Sequence, residues 1–208
     1  MNREDRVVIL ANGLFPAGRQ ALDLLHGADI LICCDGAADK LVAYGLSPHV
    51  IIGDQDSISG EIKKQYASLL IHLEDQDSND LTKAVGYCIK KDYARVSILG
   101  ATGLREDHTL GNISLMLEYY PAIEMQIISD YGLFFLVRSG EQVKSFAGEK
   151  VSLFSIDNRV RVSSRGLKYS LKEFRLSNWY AATLNEASAN SFTLYFESDL
   201  PIIVYKAW

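Results

Sequence analysis

Six short, nearly continuous apolar runs recur through the first 130 residues, and the stretches between them carry helical spacing. The runs lie at 7–11, 29–34, 49–52, 69–73, 95–99 and 125–128 and are rich in Val, Ile and Leu. Runs of this length without polar alternation suit strands covered on both faces. Between them, Leu81, Ala84, Val85, Cys88 and Ile89 fall at helical spacing, with Lys83, Lys90 and Lys91 expected on the surface. Leu110, Ile113 and Leu117 repeat that spacing further on. Strand and helix in alternation leave few options. The pattern predicts a doubly wound α/β domain over 1–130, its mostly parallel sheet joined by right-handed crossovers.

Beyond Asp130 the period changes. Val151, Leu153 and Phe154, then Val160 and Val162, Phe174 and Leu176, Phe192, Leu194 and Phe196, and Ile202 and Val204 all sit at strand spacing. Gly140, Gly148, Asp157, Asn158, Gly166 and Pro201 punctuate them, and no helix of useful length fits. A smaller antiparallel β-sandwich is expected over 131–208.

Charge and composition narrow the partners. A formal net charge of −5 argues against a general nucleic-acid binder, which needs a basic face. No apolar run is long enough to cross a bilayer, and the first five residues are too polar for a signal peptide, so no membrane partner is expected. Cys33, Cys34 and Cys88 form no CxxC pair and read as free thiols of a reducing, cytoplasmic compartment.

The chemistry is in the placement of the aspartates. Asp35 follows the second run, Asp54 and Asp56 the third, Asp80 the fourth and Asp107 the fifth. In an open parallel sheet these carboxyl ends share one edge, where ligands bind. Two carboxylates about 4 Å apart repel by roughly 4 kcal/mol at an effective dielectric of about 20. Such acids must spread out, take up protons or bind a cation, and Mg²⁺ with phosphate oxygens answers the cluster directly. A single aspartate at such a junction serves equally as a helix cap or turn former, so Asp80 and Asp107 alone decide nothing. Gly53, Asp54, Gln55, Asp56 and Ser57 together exceed what one cap requires. Gly36 opens a small-residue helix start suited to an anion, and the loop from Gly100 to Gly103 leads to Arg105, placed to meet phosphate oxygens. There is no Walker A sequence, no GxGxxG after the first run, and no GxSxG elbow beside His108.

Taken in order, these segments resemble the thiamine pyrophosphokinase family. Asp35 to Asp39 is similar to its DGGAN segment, Gly53 to Ser57 to its GDFDS segment, and Asp75 to Asp80 to its DQxxTD segment. Gly103 to His108 resembles GGRxDH, Gly166 to Tyr169 resembles GLKY, and Leu184, Asn185 and Glu186 resemble SNE. The resemblance implies transfer of the pyrophosphoryl group of ATP to thiamine by a Mg²⁺-dependent homodimer. It further implies an ATP-binding domain over 1–130 and a thiamine-binding, dimer-forming domain over 131–208. On that likeness Asp54, Asp56 and Asp80 surround the metal, with Asp35 beside them among the catalytic acids. Gly36, Gln76, Asn79, Arg105, Asp107 and His108 face the nucleotide, and Tyr169 and Asn185 face thiamine. Gln55, Ala37, Asp39, Asn79 and Leu184 depart from the family's usual residues. Transfer to another small heterocyclic alcohol, or a non-catalytic nucleotide or thiamine sensor, are the alternatives.

Overall fold

The computed structural model describes residues 5–73 and 79–208, and the chain divides after Asp130 into two compact units. In the first, β1 (Val7–Leu10), α1 (Arg19–His26), β2 (Ile30–Cys34), α2 (Ala37–Ala43), β3 (Val50–Gly53), α3 (Gly60–Gln65) and β4 (Leu70–His72) alternate. They are followed by α4 (Asp80–Lys90), β5 (Arg95–Leu99), α5 (Glu106–Tyr119) and β6 (Glu124–Ser129). All six strands pair in parallel, in the order β6-β5-β1-β2-β3-β4. The strands β1, β2 and β3 are buried along their whole length, as their unbroken apolar sequences require.

Strand order reverses between β1 and β5, so successive crossovers run first one way along the sheet and then the other. Helix α4 packs on β2 and β3 and also against α5, which lies on β6. That is the doubly wound arrangement expected from the sequence. At the reversal, the Ala11 N–H donates to the Leu99 carbonyl at 2.8 Å and the Gly13 N–H to the Gly100 carbonyl at 2.7 Å. The loops after β1 and β5 are thereby held together above the sheet's carboxyl edge.

The second unit is wholly β among its described residues. It comprises β7 (Gly132–Val137), β8 (Gln142–Lys144), β9 (Lys150–Phe154), β10 (Arg161–Arg165), β11 (Phe174–Arg175), β12 (Ala182–Glu186), β13 (Ser191–Phe196) and β14 (Ile202–Ala207). One antiparallel set runs β12-β9-β14-β7 and the other β11-β10-β13-β8. Val137, Val151, Leu153, Val162, Phe192, Leu194 and Val204 come from both sets and form one apolar core. This is a small sandwich. The spacing of the sequence left out β7, β8 and β12. Gly132 to Val137 is an unalternating run in which only the two end residues are buried, so neither periodicity marks it.

Candidate active site

Asp35, Asp54 and Asp56 come together at the carboxyl edge of the first unit, each offering an oxygen within 4.8 Å of the others'. Local backbone geometry makes this possible. Asp35 and Gln55 both adopt positive φ, 40° and 68°, so the chain turns sharply just after β2 and inside the loop that follows β3. Asp54 accepts from the Asp56 N–H at 3.2 Å, which folds the two acids onto the same turn. Ser57 then ties that turn to β2, its N–H donating to Asp35 Oδ2 at 2.8 Å and its hydroxyl to Asp56 Oδ1 at 2.7 Å.

Glycine at position 53 keeps room for the acids. A Cβ there would lie 2.8 Å from Asp35 Cβ and 3.3 Å from Asp80 Cγ, so Asp35 and Asp80 flank the same point of β3. Gly36 serves similarly, because its Cβ would fall 2.8 Å from Asn12 Nδ2 and 3.0 Å from the Ser57 carbonyl oxygen. Asp35 itself is 1% exposed, and its Oδ1 has no hydrogen-bond partner among the described residues. A buried carboxylate oxygen without a donor is costly unless something fills its place.

Electrostatics agree with the geometry. Burial raises the Asp35 carboxyl above its usual range, the Ser57 N–H opposes that, and the charge of Asp80 adds to it. Asp80 is likewise raised by burial, against the pull of Lys83, while Asp54 and Asp56 push it further up. Asp56 goes the other way, lowered chiefly by the Ser57 hydroxyl. Four acids thus share one edge, three of them in a single nest and Asp80 alongside. The donor set is all oxygen and the nest has an open buried ligand atom, so a hard divalent cation fits it.

Other residues marked in the sequence take varied places. Asn79 caps α4, its side chain accepting from the Thr82 N–H at 2.8 Å and from the Thr82 hydroxyl at 3.0 Å. Arg105 and Asp107 pair with each other, Nε to Oδ1 at 3.0 Å, with both side chains largely exposed. That pairing holds the Asp107 carboxyl down at about 2. His108 is exposed on the first turn of α5. Gln76 lies outside the described residues.

In the second unit Tyr169 is 61% exposed, with Lys168 Nζ 5.8 Å from its ring centre. Asn185 is buried, and both its side-chain polar atoms are hydrogen-bonded. Its Oδ1 accepts from the N–H groups of Tyr169 and Glu186, and its Nδ2 donates to the Tyr169 carbonyl at 2.9 Å. Beside it, Leu184 stands 80% exposed at φ 59°.

Sequence spacing misplaced Leu110, which is exposed although read on the apolar stripe of α5, and Lys83. Lys83, expected on the surface, is buried, and its Nζ lies 3.3 Å from Asp80 Oδ1. Lys40 and Asn12 were not singled out either. Lys40 Nζ donates to the carbonyls of Asn12 and Gly13 and so pins the loop after β1.

Comparison with known proteins bears on the same segments. The family model for the thiamin pyrophosphokinase catalytic domain matches residues 21–127, and that for the substrate-binding domain matches 132–205. The chain belongs to the thiamin pyrophosphokinase family. It is 27% identical over 209 residues to thiamin pyrophosphokinase 1 of Caenorhabditis elegans, covering 90% of this chain and 86% of that one. Thiamine pyrophosphokinase 1 of Oryza sativa subsp. japonica is 25% identical over 224 residues, covering 93% and 84%. The fold is shared with solved structures. The thiamine pyrophosphokinase of Bacillus subtilis superposes with a TM-score of 0.81 at 23% identity, covering 97% of this chain and 98% of that one. The thiamin pyrophosphokinase from Candida albicans gives 0.79 at 20% identity, covering 97% and 89%.

Proposed function

We propose that this chain transfers the pyrophosphoryl group of ATP to the hydroxyl of thiamine, releasing AMP and thiamine diphosphate. The observation that carries the reading is the Asp35 carboxylate, buried with one oxygen unpartnered among the described residues, and with an oxygen within 4.8 Å of oxygens of Asp54 and Asp56. The family match over this unit is to a pyrophosphokinase catalytic domain, and the carboxyl edge of a parallel sheet is where ligands bind, which supports a triphosphate there. Asp35, Asp54 and Asp56 would hold Mg²⁺, with Asp80 beside them. Bound there, the ion would neutralise charge on the phosphate oxygens.

The rest of the chemistry belongs to the chain. The acceptor's primary hydroxyl attacks the β-phosphorus in line, the bond from that phosphorus to the bridging oxygen of AMP breaks, and the hydroxyl proton passes to a carboxylate of the edge. Positioning does most of the work, as in other phosphoryl transfers. Gly36 lets the backbone approach the anion closely. Arg105 carries the nearest exposed guanidinium after β5 and would exchange Asp107 for phosphate oxygens. In the second unit the exposed ring of Tyr169 offers a face to a cationic heterocycle, and Asn185 fixes the backbone that carries it.

Domain roles follow the same reading: ATP on 1–130, thiamine and self-association on 131–208, in a homodimer. Cys33, Cys34 and Cys88 are free and buried, which supports a reducing, cytoplasmic setting. Among the described residues no helix is long and apolar enough to cross a membrane.

Incubation with ATP, Mg²⁺ and thiamine tests the proposal. AMP and thiamine diphosphate in equal amounts are expected. Release of ADP, or turnover only with a different heterocyclic alcohol, would overturn the assignment.

A further inference from the structure

The loop after β1 joins the two parts of the candidate site. In the strand order β5-β1-β2-β3 it stands between the loop after β5, which leads to Arg105, and the acids that follow β2 and β3. From β5 to β3 the sheet spans three strand spacings, roughly 14 Å, so a ligand that meets both parts must cross this loop. Its contacts reach both ways. Toward β5, the N–H groups of Ala11, Gly13 and Leu14 donate to the carbonyls of Leu99, Gly100 and Thr102. Toward β2, a Cβ at Gly36 would fall 2.8 Å from Asn12 Nδ2 and 3.3 Å from Ser57 Cβ, and Ser57 is the residue that ties Asp35 to Asp56. Gly13 has no room for a side chain, because a Cβ there would lie 2.2 Å from the Gly100 carbonyl oxygen.

One side chain closes the carbonyl side of the loop. Lys40 Nζ donates to the Asn12 carbonyl at 3.0 Å and to the Gly13 carbonyl at 2.8 Å. Among the described residues no carboxylate lies within ion-pair distance of it. A half-buried ammonium held by two neutral carbonyls gives up hydration and rotamer freedom without a counter-charge. A surface position on α2 would demand neither. Given the nucleotide site proposed above, on which this inference rests, we infer that Lys40 is a positioning residue for ATP. It acts through the backbone of Asn12 and Gly13, fixing the loop where a ligand can reach Arg105 and the acids at once.

Two measurements on Lys40→Met test this together: amide hydrogen exchange of the free protein, and calorimetric binding of a non-hydrolysable ATP analogue with Mg²⁺. The Gly13 and Leu14 amides should exchange about tenfold faster, since the loop has lost its tie to α2. Affinity for the analogue should fall about tenfold. In turnover, KM for ATP should rise about tenfold while kcat and KM for thiamine stay within about threefold, the pattern of lost uniform binding to one substrate. Lys40→Arg, which still donates to carbonyls, should bring each readout back within about threefold of the parent. Should Lys40→Met fold poorly, Lys40→Gln carries the same comparison, with about threefold changes in exchange and affinity. Weaker analogue binding with unchanged exchange at Gly13 and Leu14 overturns the inference, because the ammonium then meets the ligand itself. Faster exchange with unchanged binding overturns it too, since the ligand does not depend on the loop. Equal rises in both KM values with a lower thermal midpoint reduce Lys40 to a stability role and also overturn it. No binding of the analogue by the unsubstituted protein overturns the nucleotide site, which is a different failure.

Discussion

Asp35 in the first unit and Asn185 in the second are both buried polar residues at the end of a strand, yet the chain treats them differently. Asn185 has both side-chain polar atoms bonded, to Tyr169 on both sides and to Glu186. Asp35 has one oxygen bonded to Ser57 and the other bonded to nothing among the described residues, with two more acids close by. Glu149, also buried, leaves an oxygen unpartnered, but its other oxygen pairs with Lys206 Nζ at 3.0 Å. Closed bonds make a scaffold; an open, uncompensated carboxylate makes a site. On this view the second unit presents Tyr169 by rigid backbone bonding, while the first holds charge in readiness for a ligand.

The largest expected effect separates function from stability at the open site. Asp56→Asn should cut AMP release by about 10³-fold, the scale of losing one group that stabilises the transition state. Its thermal midpoint without divalent ions should change little, because Asp56 is exposed and Asn keeps a side-chain oxygen for the Ser57 hydroxyl. A large drop in that midpoint would make Asp56 a scaffold residue and erase the contrast.

Next in size is Gly53→Ala. The added carbon meets Asp35 Cβ at 2.8 Å, so denaturant unfolding should show a loss of about 1–3 kcal/mol, typical of overpacking. Activity should fall with it, since Asp35 and Asp80 are both displaced. Wild-type activity in a folded Gly53→Ala variant would mean those two acids need not share the point they flank.

Asn185→Ala should then cost about 1–3 kcal/mol, the price of leaving the Tyr169 and Glu186 backbone groups unbonded. If instead stability holds and only the KM for thiamine rises, Asn185 contacts the acceptor directly and is not a scaffold.

The smallest effect is a titration contrast. Asp107 lies at about 2 because Arg105 pairs with it, whereas Asp35 is raised by burial. The signs oppose. The Asp107 contribution to stability is present above its ordinary value of 3.8 and is lost as pH falls through about 2. For Asp35 the folded state favours the proton, so its contribution is present at low pH and is lost as pH rises through the raised folded value. Carboxyl NMR titration of the metal-free protein should show the two well apart, and Arg105→Ala should bring Asp107 up toward 3.8. Co-titration of the two would contradict the difference in environment.

Much of this was legible in the residues. Apolar runs such as Ile30–Cys34 and Val50–Gly53 read as strands because both faces are covered, and a parallel sheet then forces Asp35 and Asp54 to one edge. Lys83 was not legible, because helical spacing sets it off the apolar stripe and charge argues for water. Its burial depends on a tertiary neighbour, Asp80. Nor was the state of Asn185 legible, since its bonds require Tyr169 to lie opposite, a matter of register between distant segments. Residue type marked where chemistry could occur, and only the fold decided which polar groups were left open.

The central claim is that Asp35, Asp54 and Asp56 hold one divalent cation between them. Anomalous scattering from crystals grown with Mn²⁺ and a non-hydrolysable ATP analogue tests it most directly. A peak is expected within bonding distance of oxygens from all three acids, with the analogue's phosphates completing the shell. A peak elsewhere, or bound nucleotide with those three carboxylates turned away from any metal, would contradict it.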